Sequence, residues 1–106
     1  LKETFDSLYM IMENNGFEFA FRTVSEIKKY IIASKEILGE EFDLTKAVDE
    51  QLVQKILPKI HGNQKEIGTL LNDLKALCDE KNYVDSSKKI SEMQNKLKNV
   101  HYASFI

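Results

Sequence analysis

Few of the 106 residues are of types that do chemistry at close range, and they are scattered. There is one cysteine, Cys78, and there are two histidines, His61 and His101. A catalytic thiol needs a neighbouring cation or base to lower its pKa. Cys78 instead continues a stripe of Leu70, Leu71, Leu74 and Leu77, where a small buried hydrophobe is the simpler expectation. One thiol makes neither an internal disulfide nor a cysteine cluster for a metal. His61 precedes Gly62 and reads as a loop or capping residue. His101 falls near a helix end, where a partly charged imidazole suits the C-terminal dipole. Asp43, Asp49 and Glu50 could be mistaken for a metal cluster. Asp43 is more simply the loop acid before a helix, and the other two are first-turn acids that the dipole favours. These residues point to no catalytic and no metal-binding group. The patterns GxxxxGK[ST] and GxGxxG are absent.

Arg22 is the exception. It follows Phe17, Phe19 and Phe21, which alternate with Glu18 and Ala20, and it precedes a run with helical spacing. Thr23 and Glu26 have the spacing of a capping box, in which Thr caps the third amide and Glu reaches back. Arg22 then occupies the position just before the cap. An apolar residue there would staple onto Ile27. A cation gives up that contact and sits beside the positive helix end. A nearby anion would offset the cost. A guanidinium and a helix N-terminus together suit phosphate. An intrachain salt bridge to Glu18, to Glu26 or to a more distant carboxylate is the simpler alternative.

The elements that must position Arg22 are helical. One proline and four glycines leave long uninterrupted stretches. Leu1, Phe5, Leu8, Tyr9 and Met12 recur at three and four, so the spacing predicts a first helix over about 2–13, stopped at Asn14-Asn15-Gly16. Residues 17–21 alternate with period two, as an extended connector would. A second helix follows Thr23, carries Val24, Ile27, Ile31 and Leu38 on one face, and ends at Gly39. The third runs from about Thr45, with Val48, Leu52, Ile56 and Ile60 on a stripe and Val53 and Leu57 beside it. Pro58 has no N–H, so that helix ends or kinks near Leu57. Asn63 and Glu66 cap a fourth helix, whose Ile67, Leu70, Leu71, Leu74, Leu77 and Cys78 keep strict spacing up to about Lys81-Asn82. A fifth starts near Asp85-Ser86 and shows Ile90, Met93, Leu97 and Val100. Met10, Met12 and Met93 read as core filler. The expected fold is all-α, a bundle of about five helices in one domain, with helices four and five the clearest hairpin.

Composition agrees: 42% hydrophobic, 30% charged, formal net charge −2. Disorder is disfavoured. The basic pairs Lys28-Lys29 and Lys88-Lys89 are interleaved with acids, so nucleic-acid binding is not favoured. No apolar run approaches the roughly 20 residues of a membrane span. The chain opens on Leu1 without a signal-peptide pattern and suggests a piece of a longer protein.

Three stretches together resemble the C-terminal region of McrB-type AAA+ proteins, the motor subunits of 5-methylcytosine-specific restriction systems. FRTVSEIKKYI (residues 21–31) is similar to a family helix start. FDLTKAVDEQLVQKILPKIHG (42–62) is similar to a family block whose specific part is KILPKIHG. KLKNVHYASFI (96–106) is similar to the family's ending, with Ile106 where an aromatic is usual. The resemblance implies an AAA+ lid-like bundle, the C-terminal lid of a larger motor, cytoplasmic and prokaryotic. It implies that the P-loop and Walker B carboxylates precede Leu1, that the parent uses GTP or ATP with magnesium, and that this fragment itself holds no cofactor. Arg22 then stands where a lid arginine senses nucleotide phosphates (sensor 2). The implied partners are the AAA+ core of the same protein, neighbouring ring subunits and a nuclease subunit. DNA would be reached only through other regions, and no membrane is involved. KILPKIHG is expected to be structural, with Pro58 and Gly62 fixing a bend. The main alternative is a helical protein–protein interaction module with no nucleotide role, using Phe42, Tyr83, Tyr102 and Phe105 as its surface. A stand-alone enzyme fits least well, since no acid–base pair or nucleophile constellation can be assembled.

Overall fold

A computed structural model describes residues 2–17 and 20–105. Five α-helices account for most of them: α1 (Lys2–Asn14), α2 (Ala20–Leu38), α3 (Leu44–Gln51), α4 (Gln64–Lys81) and α5 (Val84–Val100). Each buries one stripe. Phe5, Leu8 and Met12 of α1 meet Val24, Ile27 and Ile31 of α2, and the leucines of α4 meet Ile90, Met93 and Leu97 of α5. One shared core results, and the all-α bundle expected from the spacing is what forms.

The helix ends explain the turns. After α1, Phe17 N–H donates to Met12 C=O at 2.8 Å and Gly16 N–H to Glu13 C=O at 3.1 Å. That is a Schellman pair, and it needs a left-handed residue, which Gly16 supplies at φ +76°. The same motif ends α4. Tyr83 N–H donates to Cys78 C=O at 2.9 Å, with Asn82 left-handed at φ +61°. Only Asn82 and Tyr83 separate α4 from α5, so the two helices form the expected antiparallel hairpin. Asn63 and Glu66 make both bonds of the capping box at 3.0 Å.

Two expectations are corrected, and one feature is new. Regular α3 stops at Gln51, earlier than Leu57; a π-helical turn spans Leu52–Ile56 and a 3-10 turn Leu57–Lys59. Pro58 lacks the N–H that Gln54 C=O would accept, and its ring crowds that carbonyl. The preceding turn widens, and Leu57 N–H reaches back to Leu52 C=O. Second, the tail after α5 carries a short strand. Residues Ala103–Ser104 (β2) pair antiparallel with His61–Gly62 (β1), which buries Ala103 against the core. Third, Met10 is 62% exposed, whereas Met12 and Met93 are core residues. Met10 lies two residues from both Leu8 and Met12, so the rotation of α1 carries it off their stripe.

The aromatic surface expected of an interaction module does not form as a unit. Tyr83 is buried, and its hydroxyl lies 3.3 Å from that of Thr4. Phe42 and Phe105 lean on the core, and Lys89 Nζ sits 4.6 Å above the Phe105 ring. Tyr102 alone of the four is exposed. No helix among the described residues is long and apolar enough to cross a membrane.

Candidate functional site

The start of α2 decides how Arg22 is read. The helix begins at Ala20, so Phe21 and Arg22 lie inside it, and the extended connector does not reach residue 21. Glu18 and Phe19 lie outside the described residues. Ala20 is the strongest helix former, and its N–H already bonds Phe17 C=O at 3.0 Å. Phe21 is anchored from α1 by an edge-on contact with Tyr9, ring centroids 5.6 Å apart, and the Tyr9 hydroxyl bonds Ser25 at 2.6 Å. These contacts wind the chain before Thr23.

Thr23 is therefore not a cap, and the Thr23–Glu26 capping box is absent. Thr23 is buried, and its hydroxyl accepts a 2.7 Å hydrogen bond from Lys59 Nζ. Glu26 instead turns to Arg22, with Nε and Oε1 3.4 Å apart. Arg22 is 91% exposed and Glu26 63%. The simpler alternative, an intrachain pair, is thus present, with Glu26 as the partner.

Lys59 was not legible as a site residue. Its position follows from the widened turn: Leu52–Ile56 packs on α2, Pro58 bends the chain, and the 3-10 turn delivers Lys59 to the first turn of α2. Among the described residues no carboxylate forms an ion pair with Lys59. The signal in the sequence was Pro58 itself, which marks a forced bend but not what the bend approaches. Two cations thus flank the first turn of a long helix, whose dipole adds partial positive charge. Such a group can hold an anion.

The remaining candidates are dispersed. Asp43 caps α3, accepting Lys46 N–H at 3.1 Å. Asp49 does not serve the dipole of α3. Its buried carboxylate accepts the N–H of Asp85 at 3.0 Å and of Ser86 at 2.8 Å, and Ser86 Oγ returns a bond to Asp49 C=O at 3.1 Å. Asp49 caps α5 from another helix, because Tyr83 supplies no side-chain cap there. Glu50 is exposed, and among the described residues no three His, Cys, Asp or Glu converge as metal ligands.

Cys78 is buried in the core, as expected of a small hydrophobe. Burial, then the negative charges of Asp49 and Asp79, push its thiol up to about 12. Asp79 is held below the usual carboxylate range, first by Lys75, which donates to both oxygens at 2.8 Å, and then by Ser87. His61 lies in β1, its Nδ1 3.4 Å from the Tyr102 hydroxyl. His101 ends α5 as a left-handed cap at φ +64°, close to where the sequence placed it.

A family model described as a domain of unknown function, DUF8727, matches residues 1–102, and the chain belongs to that family. No curated protein and no solved structure matches it.

Proposed function

We propose that this chain is the C-terminal helical lid of an McrB-type AAA+ nucleoside-triphosphatase, and that Arg22 contacts the nucleotide's terminal phosphates when the lid meets its core. The observation that carries the proposal is the placement of Arg22. Its guanidinium projects from the first turn of α2, 91% exposed, with the Lys59 ammonium on the hydroxyl of the next residue. Exposed ion pairs are worth roughly 0.2–1 kcal/mol. The 3.4 Å pair with Glu26 is therefore weak enough for a phosphate to displace it. A bidentate Arg–phosphate contact in a water-poor cleft is stronger.

The resemblance of KILPKIHG to the family block supports the same reading, because that block ends in the bend that presents Lys59. Magnesium and the P-loop would be supplied by the core. Ring neighbours, a nuclease subunit and a cytoplasmic location belong to this proposal too. The bundle would move as one packed body, as lids do in domain closure.

Two measurements test it. The coding sequence upstream of Leu1 should carry a Walker A motif followed by a Walker B motif. In the protein so encoded, Arg22→Ala should lower GTP or ATP turnover about 10–1,000-fold, in the range of lost phosphate-stabilising contacts. Arg22→Lys should recover part of it. Unchanged turnover in Arg22→Ala would remove the sensor role, and an upstream sequence without those motifs would remove the lid.

A further inference from the structure

The two halves of α2 differ. Val24, Ile27 and Ile31 are buried, whereas Tyr30, Ile37 and Leu38 are 54%, 83% and 48% exposed. Tyr30, Ser34 and Leu38, four residues apart, form a stripe that borders the core face, and Ile37 lies beside Tyr30. Leu38 keeps the face of Ile27 and Ile31, as the spacing assigned it, but at the end of α2 it is half exposed. The 3-10 turn Gly39–Glu41 folds the chain back, and α3 lies beside this stripe. Between them is a cleft of about 230 Å³ with Tyr30, Leu38, Phe42 and Ala47 in its walls. Glu41, Asp43 and Glu50 also line it, against the single base Lys46.

Size and charge select the occupant. Small-molecule sites hold roughly 300–1,000 Å³, so this cleft suits one or two side chains better than a metabolite. Three carboxylates to one ammonium repel nucleic acid, free phosphate and anionic lipid. They attract lysine and arginine. A lining that mixes apolar side chains with three carboxylates matches an amphipathic helix that presents an apolar anchor flanked by bases. We propose that the α2–α3 cleft docks such a basic amphipathic helix of a partner protein. This site stands apart from Arg22, near the other end of α2.

The test uses two synthetic helices of roughly 16 residues, about 24 Å long, that share a Leu/Phe face and differ only in Lys or Glu flanks. Each is titrated into the isotope-labelled 106-residue chain by NMR. The Lys peptide should bind saturably, with shifts centred on Tyr30, Ser34, Leu38, Phe42 and Ala47. The Glu peptide should bind at least about tenfold more weakly. Tyr30→Ala with Leu38→Ala should weaken the Lys peptide roughly tenfold, in the range of lost apolar anchors. Glu41→Lys with Glu50→Lys should invert the preference. All four residues are at least partly solvent-facing, so the variants should melt like the parent chain, and circular dichroism checks this. Equal affinity for the two peptides, shifts centred elsewhere, or no saturable binding would overturn the proposal. So would a dimer in sedimentation that Leu38→Glu dissolves, which would assign the cleft to a second copy, or binding to phosphatidylglycerol vesicles through the same residues.

Discussion

Asp49→Ala withdraws both carboxylate oxygens from the start of α5. The cost can be worked bond by bond. Ser86 is fully buried, so its N–H, 2.8 Å from Asp49, has no water to turn to. A hydrogen bond to a charged group is worth roughly 1.5–3 kcal/mol, and the orphaned donor keeps its desolvation penalty. Asp85 is exposed, and its N–H can be rehydrated, so the 3.0 Å bond there adds little. Loss of negative charge at the helix start adds roughly 0.3–1 kcal/mol. The sum is about 2–4 kcal/mol, against a total of about 5–15 kcal/mol for a domain. At about 4–8 °C per kcal/mol, the melting temperature should fall roughly 8–32 °C. Urea unfolding followed by circular dichroism reads the same quantity as a lower midpoint at unchanged slope. Asp43→Ala is the control. It removes one exposed 3.1 Å cap bond and should cost only about 0.5–1 kcal/mol. Asp49→Asn should fall between, since its amide oxygen serves one N–H while its NH₂ faces the other. If Asp49→Ala costs no more than Asp43→Ala, or Asp49→Asn nothing, the remote cap is not what holds α5 in place.

The thiol of Cys78 ionises near 9 when unfolded and near 12 when folded, so above pH 9 the folded state retains a proton that the unfolded state has lost. Stability should then fall with rising pH between those values, by about 1.4 kcal/mol per unit, and that component should vanish in Cys78→Ala. Native Cys78 should also resist a thiol reagent such as DTNB until urea unfolds the chain, which a simple absorbance assay reports. Gly68→Ala should stabilise by up to about 1 kcal/mol through helix propensity, because the new Cβ meets only the movable end of Gln64. Gly62→Ala should destabilise by about 1–3 kcal/mol: the backbone there is at φ +149°, and the Cβ would press on Glu66 Cβ at 3.1 Å and Ile67 at 3.2 Å. Tyr83→Phe should cost about 0.5–1.5 kcal/mol by leaving the buried Thr4 hydroxyl without its partner, measured by thermal melts.

What the sequence revealed was local. Asn63 and Glu66 cap α4 because both partners sit within one turn, and Asn14-Asn15-Gly16 ends α1 because the left-handed residue is part of the motif. The leucine stripe of α4 and the Ile90, Met93 and Leu97 stripe of α5 were legible for the same reason: their period is a property of one helix. What it hid is non-local. Asp49 and Ser86 are 37 residues apart, Lys59 and Thr23 are 36, and Thr4 and Tyr83 are 79. Nothing in one strand of text ranks such pairings, since a Thr hydroxyl can cap its own helix or accept from another. The same capping pattern is made at Asn63 and not at Thr23, and the difference lies in what precedes each. Ala20 and Phe21 let α2 wind on upstream, while extended Asn63 follows a strand and cannot.

The early start of α2 also changes the setting of Arg22. As a residue before the cap, its oddity was a missing hydrophobic staple. As the third residue of α2, its oddity is purely electrostatic. It sits where aligned N–H groups already make the end positive, and Lys59 has been brought up by a bend that distorts two turns of chain. Glu26 answers part of that charge, but through one contact between two solvated side chains. A fold stabilised for its own sake would gain by placing a carboxylate in that turn. Charge held against the dipole and weakly countered is what a reversible anion site requires, because a site neutralised from within would have no affinity left for phosphate. The decisive comparison is Arg22→Glu in the isolated chain against the complete protein. Under the proposed lid role, it should hold or raise the melting temperature of the former while abolishing nucleotide turnover in the latter. A variant that destabilises the isolated chain by more than about 1 kcal/mol would instead make Arg22 a structural residue.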